Sequence, residues 1–141
     1  MSWLAEKTER LNQKEIEKHL RDLYGAQDNV LRTQQARYEE LLQRFHELFG
    51  EAERLAFFSA PGRTEIGGNH TDHNNGRVLA ASVNLDALCL AAPRTDSVVR
   101  FYSEGYPGLE MDLSDTSPRE EEKGTTAALI RGVADGMKLR G

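Results

Sequence analysis

The hydrophobic pattern of this chain changes period at Leu55, and that change limits the fold more than any other feature. Up to Gly50 the apolar residues recur at helical spacing; from Leu55 onward they gather in short runs or alternate with polar residues, as strands require. Helices first, then a run of strands, then a helical segment reads as α+β rather than as alternating βαβ units. The expected architecture is N-terminal helices followed by a mostly antiparallel sheet and a packed helix.

In the helical part, one helix is expected from about Glu6 to Tyr24, with Ile16, Leu20, Leu23 and Tyr24 on one face and Gly25 placed to stop it. Asp28 or Asn29 would cap a second helix, whose apolar positions are Leu31, Tyr38, Leu41, Leu42, Phe45, Leu48 and Phe49, with Gly50 at its end. Glu, Gln and Arg fill the exposed faces, so these helices are read as packing and cover elements. Leu55 to Ser59 is a short apolar run that the Pro61-Gly62 pair cuts off, which suits a buried strand. Val78 to Ala92, interrupted by Asn84 and Asp86, is two strands or one long bent one. Asp96 to Tyr102 is another strand, Gly105 to Gly108 a turn, Leu109 to Leu113 an edge strand, and Ser114 to Gly124 an acidic loop. Thr125 or Thr126 would cap a last helix with Leu129, Ile130, Val133 and Met137 on one face, where Gly132 and Gly136 would permit close approach to a sheet.

Hydrophobic residues are 38% and charged residues 29% of the 141 positions, enough to bury one core of modest size. The net charge of −5, with no Lys/Arg cluster, argues against nucleic acid. The sole cysteine, Cys89, sits in an apolar run and reads as a small core residue; it cannot form an internal disulfide. No stretch approaches the ~20 apolar residues of a membrane span, and the charged start lacks the apolar segment of a signal peptide. Neither nucleic acid nor membrane is an expected partner, and the expected location is the cytoplasm.

Chemistry concentrates in Ser59 to Gly76, a polar, glycine-rich connection between two apolar strands. Arg63, Glu65, Asn69, His70, Asp72, His73, Asn74 and Asn75 crowd into it, as binding groups do on loops held by rigid strands. Three ligands fit the residue types. His70 and His73 with Asp72 offer two imidazoles and a carboxylate to a metal, though without the helix or second ligand pair that usually accompanies such spacing. Gly67-Gly68 offers backbone to a phosphate, without the pattern of a phosphate-binding loop. Asn69, His70 and Asp72 offer the mixed donors and acceptors that vicinal hydroxyls of a sugar require. Composition alone leaves a plain solvated loop open as well.

The run PGRTEIGGNHTDHNNG, Pro61 to Gly76, resembles the galactokinase signature, whose common form is PGRVNLIGEHTDYNGG. Pro61, Gly62, Arg63, Gly68, His70, Thr71, Asp72 and Asn74 match it, Ile66 stands for its similar Leu, and the resemblance extends over Leu31 to Gly141. Galactokinases belong to the GHMP kinases, which phosphorylate small-molecule hydroxyls with ATP and Mg2+. The resemblance implies an incomplete GHMP-kinase N-terminal domain of the ribosomal protein S5 domain 2-like fold, spanning 29–141, with residues 1–28 as a helical extension. It implies that Arg63 stands beside the phosphorylated anomeric hydroxyl as the catalytic cation. It implies that Asn69, His70 and Asp72 join Arg63 in binding a galactose-like sugar, with no metal held by these residues. Asn69 stands where galactokinases usually carry Glu, so the identity of the sugar stays open. Thr64 and Glu65 replace the usual Val-Asn pair.

The family's phosphate loop, of the type LPxGxGLSSSA, follows one strand after the helix that here reaches Gly141, and its catalytic Asp lies further on. Neither motif is in the 141 residues. The expectation is therefore a portion of a sugar kinase, without sugar-phosphorylating activity or a bound cofactor of its own, and with an open sheet edge prone to self-association. The alternative is a non-catalytic sugar sensor or interaction protein on the same scaffold.

Overall fold

The computed structural model describes residues 2–68 and 76–140. Two compact units divide the chain, Met1–Pro93 and Arg94–Gly141.

The first unit opens with helices α1 (Trp3–Leu11), α2 (Lys14–Tyr24) and α3 (Asp28–Phe49). Sequence periodicity predicts one helix where α1 and α2 stand. Asn12 breaks it: its side-chain amide donates to the Thr8 carbonyl at 3.1 Å, a local bond that competes with helix continuation, and Gln13 is extended (φ −74, ψ 147). Ser2 caps α1 by accepting from the Ala5 N–H. Gly25 and Gly50 end α2 and α3 at φ +90 and +77, a region that glycine enters without steric cost. Neither Asp28 nor Asn29 caps α3. Gln27 is the capping residue, without a side-chain bond, and Asp28 is the acidic residue of the first turn, where a negative charge favours the helix dipole.

Strands β1 (Ala56–Gly67) and β2 (Leu79–Ala91) follow and pair antiparallel. The long apolar run is thus one strand. The Pro61-Gly62 pair does not end β1, because the ladder changes register there and regular pairing is not demanded of it. On one face of this ladder Phe57, Leu88 and Leu90 pack on the helical core of Leu11, Leu20, Leu31, Tyr38 and Leu42. The other face carries Phe58 and Cys89, both exposed. Cys89 is therefore a surface thiol and not the core residue its apolar neighbours suggest: side chains alternate along β2, and Leu88 and Leu90 take the inward positions.

In the second unit, β3 (Val98–Phe101) and β4 (Leu109–Asp112) form an antiparallel hairpin, a short 3-10 turn spans Glu120–Glu122, and α4 (Thr126–Lys138) closes the segment. Thr125 caps α4 by accepting from Ala128 N–H. The expected inward face of α4 is not the buried one. Leu129, Val133 and Met137 are 68%, 54% and 71% exposed, while Arg131 is 3% exposed. The Arg131 guanidinium donates to both Glu122 carboxylate oxygens at 2.7 and 2.8 Å and to the Asp115 carbonyl at 2.6 Å. A fork of donors met by a matching carboxylate can be buried where a lone charge cannot. A Cβ at Gly132 or Gly136 would meet nothing within 4 Å among the described residues, so neither glycine makes a close approach to the hairpin of this unit.

Helices followed by antiparallel strands and a closing helix make the fold α+β, with the strands in two separate ladders. Leu42, 1% exposed, is the most enclosed side chain among the described residues of the first unit. Leu42→Ala is expected to cost about 2–5 kcal/mol through lost burial and a residual cavity, read from urea unfolding; a change below about 1 kcal/mol would show that this core is loose.

Candidate sugar-binding site

Arg63, the predicted catalytic cation, lies in β1 opposite Ser82 and is exposed. Among the described residues its guanidinium has no hydrogen-bond or ion-pair partner. Asn69, His70 and Asp72, with His73 and the alternative metal reading they support, lie outside the described residues. What the structure does describe is how the strands enter and leave that segment. Gly68 has φ +90, and a Cβ there would stand 2.3 Å from the Arg77 carbonyl oxygen and 3.0 Å from Val78 Cα. The two strands close to a neck that admits only glycine at position 68.

Below the neck the ladder is irregular. Between the pairs Arg63↔Ser82 and Pro61↔Asp86, β1 advances two residues and β2 four. Gly62 fills the tight place: a Cβ there would be 3.1 Å from both the Leu85 carbonyl oxygen and Val83 Cγ2.

Asp86, at the lower margin of this irregularity, is a group that sequence reading did not single out. Its side chain is 5% exposed. Tyr24 Oη from α2 and Ser59 Oγ from β1 each donate to Oδ2 at 2.6 Å, and Arg37 Nη1 from α3 donates to Oδ1 at 2.8 Å. Arg37 Nη2 also donates to the Asp86 carbonyl at 3.4 Å. Because Tyr24 gives its proton to Asp86, Tyr38 Oη, 3.2 Å away, donates to Tyr24. Burial by itself would raise the Asp86 pKa; the hydrogen bonds from Ser59, Tyr24 and Arg37, with the Arg37 charge, outweigh it and hold the carboxyl at about 2. The Tyr38 hydroxyl moves up, first by burial and then by its bond to Tyr24. The signal was present in the sequence: Asp86 is the lone charged residue of a thirteen-residue strand, and a charge in such a run needs partners.

The arrangement is one of helices packed on a strand pair that leads into a polar, glycine-necked segment. It fits an incomplete N-terminal domain of GHMP-kinase type. Within that class the matches are to galactokinase. Residues 43–93 match the family model described as the galactokinase galactose-binding signature. The chain is 39% identical over 85 residues to the galactokinase of Lactococcus lactis subsp. cremoris, covering 58% of this chain and 21% of that protein. It is 38% identical over 87 residues to the Bacillus subtilis galactokinase, covering 60% and 22%. A crystal structure of Lactococcus lactis galactokinase complexed with galactose superposes with a TM-score of 0.60 at 33% identity, over 67% of this chain and 25% of that one. The galactokinase galactose-binding signature thus matches residues 43–93, and the chain spans about a fifth to a quarter of the length of these relatives.

The Asp86 geometry makes stability depend on pH with a definite sign. A folded pKa near 2 against an ordinary 3.8 means the carboxylate favours the folded state above pH 4 and loses that contribution as pH falls through 2. Melting temperature followed from pH 5 to pH 2 should fall less steeply in Asp86→Asn than in the parent chain. Parallel curves would contradict the assignment.

Proposed function

We propose that this chain contributes the sugar-binding face of a galactokinase-like sugar kinase, with a galactose-like hexose as ligand. The observation that carries the reading is the signature match over residues 43–93, supported by likeness to a galactokinase whose crystal structure contains galactose. In this reading residues 29–141 belong to the sugar-binding domain and residues 1–28 are a helical extension that lends Tyr24 to the strand pair.

Arg63 stands beside the anomeric hydroxyl, where a permanently charged, weakly hydrated guanidinium stabilises negative charge as the hydroxyl becomes a nucleophile. Asp72 accepts hydrogen bonds from ring hydroxyls, His70 holds the sugar, and Asn69 both donates and accepts where a carboxylate would only accept. ATP with Mg2+ supplies the transferred phosphoryl group in the complete enzyme. The residues present do not fit that group. No LPxGxGLSSSA-type loop occurs in the sequence, and among the described residues no three His, Cys, Asp or Glu side chains converge as metal ligands. Phosphoryl transfer needs a phosphate cradle as well as an acceptor site, so no transfer step is assigned to these residues. No helix of the described residues is long and apolar enough to cross a membrane, which is compatible with the cytoplasmic location of this reading. Self-association belongs to it too: β1 and β2 form a two-stranded ladder, each strand with one edge unpaired among the described residues.

Titration calorimetry of the purified chain with galactose tests the proposal. Binding is expected, with Arg63→Ala and Asp72→Asn each weakening it at least tenfold, and with no sugar phosphate formed when Mg-ATP is added. Galactose binding that is absent, or indifferent to both substitutions, would sink the sugar-site reading. Sugar phosphate formed by the chain alone would overturn the assignment of transfer to residues it does not contain.

A further inference from the structure

We propose that Asp86 is a positioning residue for Arg63, fixing the irregular stretch of ladder from which that guanidinium emerges. The inference rests on the reading of Arg63 as sugar-facing.

A regular antiparallel ladder sets the direction of every side chain through its backbone hydrogen bonds. Immediately before Arg63, at Gly62, that control lapses, because β2 carries two more residues than β1 between the flanking pairs Pro61↔Asp86 and Arg63↔Ser82. The backbone there is bounded instead by contacts on the lower side. Pro61 pairs with Asp86, and Leu85 and Val83 leave no room beside Gly62, where a Cβ would stand 3.1 Å from the Leu85 carbonyl oxygen and from Val83 Cγ2. The Asp86 carboxylate then joins the strand pair to the helices through Tyr24 of α2, Ser59 of β1 and Arg37 of α3, each bond between 2.6 and 2.8 Å. Arg37 reaches past the carboxylate to the Asp86 backbone carbonyl, so the main chain of β2 is held at the residue where the irregularity begins. Three donors from three elements converging on one enclosed carboxylate locate it along the strand as well as across it. Losing the charge releases that end of the irregular stretch, and the direction of Arg63 with it.

A carboxylate serving only as a strut between helices and sheet would affect the whole first unit alike. The two roles separate in backbone N–H residual dipolar couplings and amide hydrogen exchange, measured on the full 141-residue chain for Asp86→Asn. Ser59→Ala, which removes a single donor at the surface, serves as a milder second variant. Positioning predicts that couplings of Arg63 and Thr64 shift, and that their exchange accelerates at least about tenfold relative to Phe57 and Leu90. Ser59→Ala should move the same residues by less. Galactose affinity should fall in parallel, by about tenfold for Asp86→Asn. Uniform changes across Phe57 to Thr64, or none at Arg63 in either variant, would overturn the proposal. If the couplings shift locally while the parent chain binds no galactose, positioning stands and the sugar reading fails.

Discussion

One buried carboxylate organises the first unit of this protein. Asp86 sits in a strand otherwise free of charge, and taking it out of water would be costly if it were unpaired. The cost is offset by Tyr24, Ser59 and Arg37, which come from α2, β1 and α3. Hydrogen bonds to a charged group contribute about 1.5–3 kcal/mol each and are more directional than apolar contacts. The apolar packing of Phe57, Leu88 and Leu90 against the helical core makes the strand pair adhere to the helices. The carboxylate determines where along them it adheres.

The second unit uses the same device with the charges exchanged. Arg131 is enclosed, and its fork is met by the Glu122 carboxylate and by carbonyls of Asp112 and Asp115. An acidic loop that would otherwise repel itself is thereby folded around one cation. Nearby, Asp112 and Asp115 each accept a backbone N–H from the residue two positions on, Ser114 and Ser117, which gives the loop its local turns. Both units are thus fixed by a polar group placed where sequence pattern alone would put an apolar one.

That substitution marks the limit of what could be read in advance. The α+β order, the ends of α2 and α3 at Gly25 and Gly50 and a threonine cap on α4 followed from periodicity and turn chemistry, which are local; the same signals left open whether Val78 to Ala92 forms one strand or two and which of Thr125 and Thr126 is the cap. The break at Asn12 did not, because a side-chain bond to the Thr8 carbonyl leaves the apolar pattern untouched. The course of β1 through Pro61-Gly62 did not, because it depends on extra residues in the partner strand. The inward face of α4 was misassigned because the partners of Arg131 lie in a loop whose path no helical pattern encodes. For the site, the motif from Pro61 to Gly76 pointed to Arg63, Asn69, His70 and Asp72, while the groups supporting the strand beneath it, Asp86, Arg37 and Tyr24, are spread over some sixty positions of sequence. Chemistry that touches a ligand is clustered in a motif; the network that aims it is dispersed.

The account therefore depends on the coupling between Asp86 and the helices being energetic and not merely geometric. A double-mutant cycle on Tyr24→Phe and Asp86→Asn, read from urea unfolding of the full chain, measures that coupling directly. An interaction energy of about 1 kcal/mol or more is the predicted result. Additive effects within about 0.3 kcal/mol would contradict it, leaving the strand pair held to the helices by apolar contact alone.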